Sequence, residues 1–424
     1  YIAIDYNINL ELLNTFINEN KRKLILCLSD IHLGIDDSYG QFKSNRRYLH
    51  NFLSKLRFSP NLKELVFNGD LFDQWFIPGD IDTLCGKSSL NFLERIVENN
   101  REIINDIRNI IADKEIKVTY IPGNHDMLFT SAEINSIFPG INQARDSYGL
   151  GSYTPEDLPN SIIEHGHRYD FFCAPNHIST TEDNCDFLLP PGYFYARISA
   201  TSFIENLRYY DDFVTDFTLI SNTYSNKNYL EYLYKSICTF SLRKCPVMES
   251  TDEKFIYTLI NGYKENYCIN DLLPDLLNED KKDSNKLFKD ITLTWNKRQI
   301  YNKVPVSIST EAAIKYSIFH SYFDNMAQIQ YFKNPQSKKR IVIFGHTHCA
   351  CMIISNNSLD QKTIYANCGS WLDKSSYPPS MTFTLLIPPK DKTSPNTFIH
   401  LYRYKGDNSI EKLQSQAVTE FSSV

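Results

Sequence analysis

The stretch ELVFNGDLFD, residues 64–73, contains a short apolar run that ends in a polar turn. Its first five residues predict a buried strand, and Gly69 at the end of that strand allows the backbone to turn closely. Asp70 follows at the carboxyl end, and because a carboxylate has two oxygens, it can bridge two cations. Taken alone, the turn is better explained as the N-terminal cap of a helix. Its meaning therefore depends on the rest of the chain.

Four further polar segments stand at strand ends in the same way. An apolar run, residues 23–29, leads directly into Asp30 and His32. We expect extended backbone there, which sends both side chains to the same side of the strand and lets them grip one metal ion. The other three segments are Gly123-Asn124-His125-Asp126, Glu164-His165-Gly166-His167 and Gly345-His346-Thr347-His348.

The distribution of histidine favours a metal site over coincidence. Of the ten histidines in the chain, six lie in these five segments. A single histidine at any of these places would be an ordinary polar residue, but the segments cluster at strand ends, where α/β folds place their ligands. His346 and His348 can reach two neighbouring metals. In the fourth segment His165 directly follows the strand, and we choose it over His167.

The third segment supplies both a ligand and a candidate catalytic group. Asn124 can offer its amide oxygen to a metal, and His125 can donate a proton to a departing oxygen. Either Asp126 or Asp73 could orient His125, as carboxylates behind a metal site often do. The simpler alternative is that Asn and Asp are here because they are common turn residues.

The mixture of ligands indicates which metals and which reaction to expect. Imidazole and carboxylate together suit Mn, Fe or Zn, and we take Mn as the first choice. Two such ions roughly 3.5–4 Å apart can hold phosphoryl oxygens, activate a water and stabilise an in-line displacement. No protein nucleophile is needed. The sequence therefore predicts two divalent metal ions as cofactors and a phosphate ester as substrate.

The order of predicted elements indicates an α/β fold with a large insertion. Strands alternate with helices up to about residue 172, as in α/β sheets, and the pattern resumes at residue 338. Between them, residues 173–337 lack motifs and are rich in aromatics, Asn and Lys, so we interpret them as a mostly helical insertion. The core would comprise residues 1–172 and 338–424. The predicted helices are residues 46–56, 90–111, 228–242 and 310–331. The predicted strands are residues 23–29, 64–68, 117–121, 161–164 and 340–344, with further strands near 363–366, 381–387 and 397–404.

Composition excludes some classes of function. The net charge of −6 argues against a protein that coats nucleic acid through bulk charge. The ten cysteines form no CxxC pattern, so we expect reduced thiols. No segment approaches the roughly 20 apolar residues that span a bilayer. We expect a cytoplasmic protein, or one whose signal peptide has been removed, since the chain starts at Tyr1. The oligomeric state stays open.

In this order the motifs D-x-H, G-D-x-x-D, G-N-H-D, H-G-H and G-H-T-H resemble those of the calcineurin-like metallophosphoesterase family. The resemblance spans roughly residues 23–172 and 338–405. It implies a four-layer αββα sandwich with a dinuclear site at the carboxyl edge of its two sheets. It also implies that His125 acts as the general acid with the support of Asp73. The implied ligands are Asp30, His32, Asp70 and His348 for one metal, and Asp70, Asn124, His165 and His346 for the other.

Within that family the stretch GDLFDQW, residues 69–75, resembles the UDP-2,3-diacylglucosamine diphosphatase-like branch. That branch also places a lid between the fourth and fifth motifs, where this chain has its insertion. Two features depart from the branch: its members typically carry Arg where this chain has His125, and the insertion here is longer. A lipid pyrophosphate is therefore a minority candidate for the substrate.

Three functions follow from these features. The first is hydrolysis of a phosphomonoester, phosphodiester or pyrophosphate, with the insertion as a lid. The second is a nuclease that uses the basic clusters Arg46-Arg47 and Lys338-Lys339-Arg340, although we expect no stable nucleic-acid complex. The third is a non-catalytic scaffold. Because every expected ligand position is filled, hydrolysis is favoured over the scaffold.

Overall fold

The computed structural model describes residues 7–9, 22–81, 89–178, 189–204, 226–243, 256–257, 266–272, 287–288, 290–318, 324–375, 377–389 and 395–419. The chain divides into two compact units. The first comprises Tyr1–Asp73, Leu93–Gly166 and Phe323–Val424, and the second comprises Gln74–Phe92 and His167–Tyr322. The predicted insertion overlaps the second unit, and its boundaries at residues 173 and 337 stay a prediction.

The strands form two large sheets and one small one. The first sheet has the order β1-β15-β14-β13-β2-β3-β4-β5, the second β11-β12-β10-β7-β6, and β8 pairs with β9. The strands are β1 Asn7–Asn9, β2 Leu24–Leu28, β3 Leu62–Asn68, β4 Lys117–Ile121, β5 Asn142–Gln143, β6 Ser152–Tyr153, β7 Ser161–Glu164, β8 Ile256–Tyr257, β9 Asn266–Tyr267, β10 Ile341–Phe344, β11 Cys351–Asn356, β12 Lys362–Asn367, β13 Thr382–Ile387, β14 Asn396–Tyr404 and β15 Ser409–Thr419.

The strands that carry the motifs run parallel to one another. In the first sheet β2, β3 and β4 are parallel neighbours, and in the second sheet β7 and β10 are parallel neighbours. Each is an apolar run that is buried over nearly its whole length. The strands predicted at residues 64–68, 117–121, 161–164 and 340–344 are confirmed, with bounds that move by at most two residues.

The two large sheets share one hydrophobic core. Ile25 and Val66 from the first sheet lie in the same buried cluster as Ile163 and Ile343 from the second. Burial of such side chains contributes about 25 cal/mol per Å² of apolar surface. This shared core places the sheets face to face and confirms the predicted sandwich.

Helices of the first unit cover the outer face of the eight-stranded sheet. The described helices are α1 Arg46–Leu56, α2 Ser89–Asn99, α3 Arg101–Asp113, α4 Ser131–Ile137, α5 Pro191–Ile204, α6 Asn226–Arg243, α7 Trp295–Tyr301, α8 Thr310–Ile318 and α9 Asp324–Ala327. On α1, Phe52 packs its ring against Phe383 of β13 at 4.9 Å and against Trp371 at 5.4 Å between centroids. The predicted helix at residues 46–56 is confirmed.

One predicted helix is interrupted, and a second lies partly outside the described residues. The single helix expected at residues 90–111 is instead α2 and α3, which are separated at Asn100 with φ −122° and ψ 33°. The side chain of Asn100 donates to the carbonyls of Ile96 and Gly34, both at 2.8 Å, so a side-chain amide takes part in the bonding that a continuous helix would keep within the backbone. The helix expected at residues 310–331 contains α8, α9 and a π-helical turn, Gln328–Phe332, while residues 319–323 lie outside the described chain.

The second unit contains α5 to α8 and the small sheet. Its guanidinium groups are bound to backbone carbonyls: Arg298 donates to Phe171 at 2.7 Å, to Pro175 at 3.0 Å and to Ala174. Such bonds satisfy backbone carbonyls that are not hydrogen-bonded within a helix or a sheet. Among the described residues, no helix is both long enough and apolar enough to span a membrane. The cysteines within the described ranges are free thiols.

Candidate metal centre

The polar segments of the first unit follow the carboxyl ends of its parallel strands. Asp30, Asp70 and Asn124 come after β2, β3 and β4, which are neighbours in the first sheet. His165 and His346 come after β7 and β10, which are neighbours in the second sheet. Because parallel strands end at one edge and the two sheets face each other, the topology collects all five segments in one place.

In three of these segments the backbone is left-handed at five positions and is not extended there. Positive φ angles occur at Asp30 (52°), His32 (57°), Asp70 (52°), His346 (67°) and His348 (59°). The extended D-x-H tripeptide that we expected is therefore wrong. Non-glycine residues in this region are uncommon and cluster at functional sites, where surrounding contacts must hold them.

Main-chain hydrogen bonds hold the first two segments in this conformation. The carbonyl of Asp70 accepts the N–H groups of both Ile31 and His32, each at 3.0 Å, and the N–H of Leu33 donates to Leu71 at 2.9 Å. The turn after β2 is thus bound to the turn after β3 over successive residues. Side chains on the two turns are held together by their own backbones.

The first ligand group contains Asp30, His32 and His348. Their ligand atoms all lie within 4.8 Å of one another. His348 Nε2 lies 3.2 Å from Asp30 Oδ1, and His32 Nε2 lies 3.8 Å from the same oxygen. The other oxygen, Asp30 Oδ2, accepts the hydroxyl of Ser29 and, at 3.0 Å, the N–H of His346. Oδ1 is therefore the oxygen that faces the two imidazoles.

The second ligand group contains Asp70, His165 and His346, again within 4.8 Å of one another. His165 Nε2 lies 3.1 Å from Asp70 Oδ2 and 3.2 Å from Asn124 Oδ1. Asp70 Oδ2 also lies 3.6 Å from His32 Nε2 in the first group. The other oxygen, Oδ1, accepts the N–H of His125 at 2.8 Å. A single oxygen of Asp70 thus lies between the two groups.

Hydrogen bonding fixes the tautomer of His165. Its Nδ1 lies 2.8 Å from the carbonyl of Asn68, and because a carbonyl only accepts, Nδ1 carries the hydrogen. The neutral ring therefore directs the Nε2 lone pair toward Asp70 and Asn124. Burial disfavours the charged ring, but the carboxylates of Asp70 and Asp30 outweigh burial and raise the pKa of His165 to about 9.

The donor set fits divalent cations. Asp30 Oδ1 and His32 Nε2 are buried, and neither has a hydrogen-bond partner among the described residues. Carboxylate oxygens and imidazole nitrogens crowded into one buried volume are costly unless a cation or proton compensates them. Nitrogen and oxygen ligands of this kind match Mn, Fe or Zn.

His125 lies beside the two groups and is held by a carboxylate. Its Nδ1 lies 2.7 Å from Asp73 Oδ1, and its side chain is 14% exposed. Burial opposes ionisation of Asp73, but His125 and His32 outweigh burial and hold the pKa of Asp73 far below its ordinary range. An ionised Asp73 accepts the Nδ1 hydrogen, so the other ring nitrogen, Nε2, is the one through which His125 would exchange a proton with a reacting group.

Asp126 binds main-chain groups and does not orient His125, which was one of the roles considered for it. It accepts three main-chain N–H groups, from Gly123 at 2.7 Å, Leu71 at 2.9 Å and Phe72 at 3.2 Å. Of the two carboxylates considered for orienting His125, Asp73 makes the contact. Burial and the neighbouring Asp70 raise the pKa of Asp126 to about 6. Its bonds join the turn after β4 to the turn after β3.

Two glycines leave room for the ligands. A Cβ on Gly123 would lie 2.1 Å from Asp70 Oδ1, and a Cβ on Gly69, where φ is +83°, would lie 2.3 Å from His165 Nδ1. Both distances are far below van der Waals contact, so any side chain at either position would displace a ligand. Glycine is therefore required at these two motif positions because a larger residue would overlap a ligand side chain.

Ser29 and Asn68 also contact the site, although the sequence analysis did not select them. Ser29 donates to Asp30 and, at 3.0 Å, to the carbonyl of Asn68. Both are polar residues at the ends of otherwise apolar strands, next to a ligand segment. That position is the signal for these two residues in the sequence. His167, passed over in favour of His165, begins a 3₁₀ turn of the second unit.

Two carboxylate–imidazole groups lie side by side at one edge of the sandwich, with Asp70 Oδ2 between them, and form a candidate dinuclear metal centre. The family model described as calcineurin-like phosphoesterase matches residues 23–350, which is most of the chain. The chain belongs to the calcineurin-like phosphoesterase family, and it is a metal-dependent phosphoesterase. The resemblance inferred from the five motifs is thereby confirmed.

Two solved structures are similar to the chain at low identity. A dimetal phosphatase from Danio rerio is 12% identical, with 94% of this chain and 99% of that chain covered and a TM-score of 0.35. A protein from Staphylococcus aureus described as a 5'-nucleotidase is 9% identical, with coverage of 95% and 55% and a TM-score of 0.26. No curated protein matches the chain. At these values the likenesses add nothing to the family assignment.

Proposed function

We propose that the protein hydrolyses a phosphomonoester, phosphodiester or pyrophosphate, with His125 as the proton donor to the departing oxygen. The observation that carries this proposal is the 2.7 Å contact between His125 Nδ1 and Asp73, because that carboxylate orients the ring and stabilises its protonated form. General acid catalysis of this kind contributes about 10²–10⁴ in rate. Two divalent ions held beside it would supply Lewis acidity and a water of lowered pKa.

The ligand sets that we propose combine the two groups with their shared oxygen. One ion, which we take to be Mn, would be held by Asp30, His32, Asp70 and His348. The other would be held by Asp70, Asn124, His165 and His346. The distances of 3.6 Å and 3.1 Å from Asp70 Oδ2 to His32 Nε2 and His165 Nε2 support Asp70 as the bridge.

The test uses leaving groups of different basicity. Protein loaded with Mn is assayed on an alkyl phosphate, whose leaving oxygen needs a proton, and on p-nitrophenyl phosphate, whose leaving oxygen does not. We expect His125→Ala to lose about 10²-fold or more on the alkyl ester and much less on the nitrophenyl ester. The control is His50→Ala on α1, where His50 contacts Asp106 at 2.7 Å. Equal losses on both esters would refute the role of His125.

The same assay addresses the substrate class. Phosphomonoesters, phosphodiesters, nucleotide and lipid pyrophosphates and single-stranded nucleic acid are compared with Mn present, and Asp70→Asn should abolish all turnover. The basic clusters give no support to a nuclease: Arg46 makes a two-pronged contact with Asp37, at 2.8 and 2.5 Å, and Arg340 donates to the carbonyls of Lys362 and Thr419. These guanidinium groups are bound within the protein.

We propose further that residues 173–337 act as a lid that sets substrate preference. Their aromatic-rich composition motivates the proposal. Deletion of most of residues 175–336, with the fold retained, should change the ratio of kcat/KM values between small and large substrates and leave Mn binding intact. Unchanged kinetics on the preferred substrate would contradict the lid.

A further inference from the structure

Asn68 joins the two large sheets at the edge that carries the metal groups. It is the last residue of β3 and is 0% exposed. Its side-chain Nδ2 donates to the carbonyl of Glu164, which ends β7, at 3.1 Å, and lies 3.5 Å from the carbonyl of Ile343 in β10. One amide of the first sheet therefore contacts the ends of two strands of the second sheet.

These contacts hold His165 from two directions. The carbonyl of Asn68 accepts the Nδ1 hydrogen of the His165 ring at 2.8 Å. The side chain of Asn68 holds the carbonyl of Glu164, the residue directly before His165. The ring and the backbone of one proposed ligand are thus bound to the same residue, which is two positions before the bridging Asp70.

A buried amide at this place needs a reason. The surrounding core is built from aliphatic side chains such as Val66 and Ile163, and a buried polar group is costly unless it is hydrogen-bonded. Leucine has the same number of side-chain heavy atoms in the same branched arrangement, and its apolar character would suit that core. What leucine lacks is the donor for the Glu164 carbonyl, and with it the link between the sheets.

We propose that Asn68 is a positioning residue that holds His165 in place. It thereby sets the affinity for the ion bound by the second ligand group, and does not set the affinity for the ion bound by the first. This inference rests on the proposed ligand sets. The first group is held by different contacts, from Ser29 and His346 to Asp30. Loss of the Asn68 amide should therefore act on one ion of the pair.

The experiment is a titration of the metal-free full chain with Mn(II), followed by electron paramagnetic resonance. Wild type should bind two ions and show a spin-coupled spectrum. Asn68→Leu should weaken one ion about 10–100-fold, as expected for loss of a group behind a ligand, and leave the other within about threefold. The spectrum should change to that of an isolated Mn(II). Asn68→Asp places an oxygen against the two carbonyls and should also weaken the binding of one ion. This variant provides the test if Asn68→Leu fails to fold.

The control is Asn142→Leu on β5 of the same sheet, where the Asn142 amide donates to Thr119 at 3.0 Å. It should keep both ions. Two results would overturn the inference: two ions bound by the Asn68 variants as tightly as by wild type, or equal weakening of both ions in parallel with a lower Tm. If wild type binds two ions but hydrolyses no phosphate ester, the proposed function fails while the titration still tests Asn68.

Discussion

Asp73 accepts the Nδ1 hydrogen of His125 through one oxygen at 2.7 Å and directs its second oxygen to Nδ1 of His32 at 3.5 Å. A single carboxylate thus stands behind a proposed proton donor and a proposed metal ligand. Since the rings of His32 and His125 lie only 4.3 Å apart between centroids, Asp73 sets their relative position. The catalytic group and the metal group are coupled through Asp73.

That coupling predicts a double effect of Asp73→Asn. The neutral amide cannot stabilise a protonated His125, so kcat on an alkyl phosphate should fall by about 10²-fold. The affinity for one of the two ions should fall by about 10-fold because His32 loses its support. Steady-state kinetics at saturating Mn and an Mn titration separate the two effects. A variant with wild-type kcat would show that the contact has no catalytic role.

Gly69→Ala should remove one metal ion for a steric reason. The new Cβ would lie 2.3 Å from His165 Nδ1, so the ring must move away from Asp70. Gly140→Ala is a matched control, because Gly140 has nearly the same φ, +87° against +83°, and its nearest neighbour would be Ile111 at 3.6 Å.

Both alanine variants should lose about 1–2 kcal/mol of unfolding free energy from the left-handed backbone, but only Gly69→Ala should lose bound Mn. Thermal unfolding and metal analysis of the purified variants test this. If Gly140→Ala loses metal as well, backbone strain and not the clash is responsible.

Metal binding should release a proton over a defined pH range. In the metal-free protein the pKa of His165 is raised from 6.5 to about 9, so its ring is protonated below about pH 9. A metal ion that takes Nε2 must displace that proton. The apparent affinity should therefore fall as pH falls below about 9. Calorimetry at pH 7.5 in two buffers with different heats of ionisation should give different binding heats. Identical heats would mean that His165 is not a ligand.

Loss of the Arg298 guanidinium should destabilise the second unit alone. Arg298→Met removes the donor to the carbonyls of Phe171 and Ala174, while the Pro175 carbonyl keeps the amide of Asn302. Each buried carbonyl left without a partner costs about 1–3 kcal/mol. We expect earlier thermal unfolding and faster proteolysis within residues 167–322, with Mn binding unchanged. Simultaneous loss of metal would show that the two units do not unfold independently.

Local patterns were sufficient to predict where the ligand-bearing segments stand. Apolar runs that end in Asp, Asn or His identify strand ends, and the five segments share one edge because parallel strands must end together. The helix break at Asn100 was not predicted because the apolar spacing continues through it, and the contact of the Asn100 side chain with Gly34 joins segments far apart in the sequence. The long strand β15 was missed because its half-exposed sequence, SIEKLQSQAVT, lacks an apolar run; its pairing with β14 supplies the stability.

The backbone conformation of the site could not be predicted from the sequence either. Residue types alone do not show that Asp30 and His32 are left-handed, because the hydrogen bonds that hold them come from Asp70, forty residues away. The role of Asn68 has the same origin, since its partners lie on the other sheet. Such features depend on which segments meet, and a pattern within one segment does not contain that information.

The carbonyl of Asp70, which accepts two successive N–H groups from the turn after β2, has a consequence for maturation of the enzyme. Ligand-bearing turns that are bound to each other through main-chain atoms keep their shape before any ion arrives. We therefore expect metal capture to be limited by how fast the incoming ion sheds its water, and not by refolding of the chain. Exchange of one metal for another would then need neither a chaperone nor partial unfolding, and the ion present would reflect the supply in the surroundings.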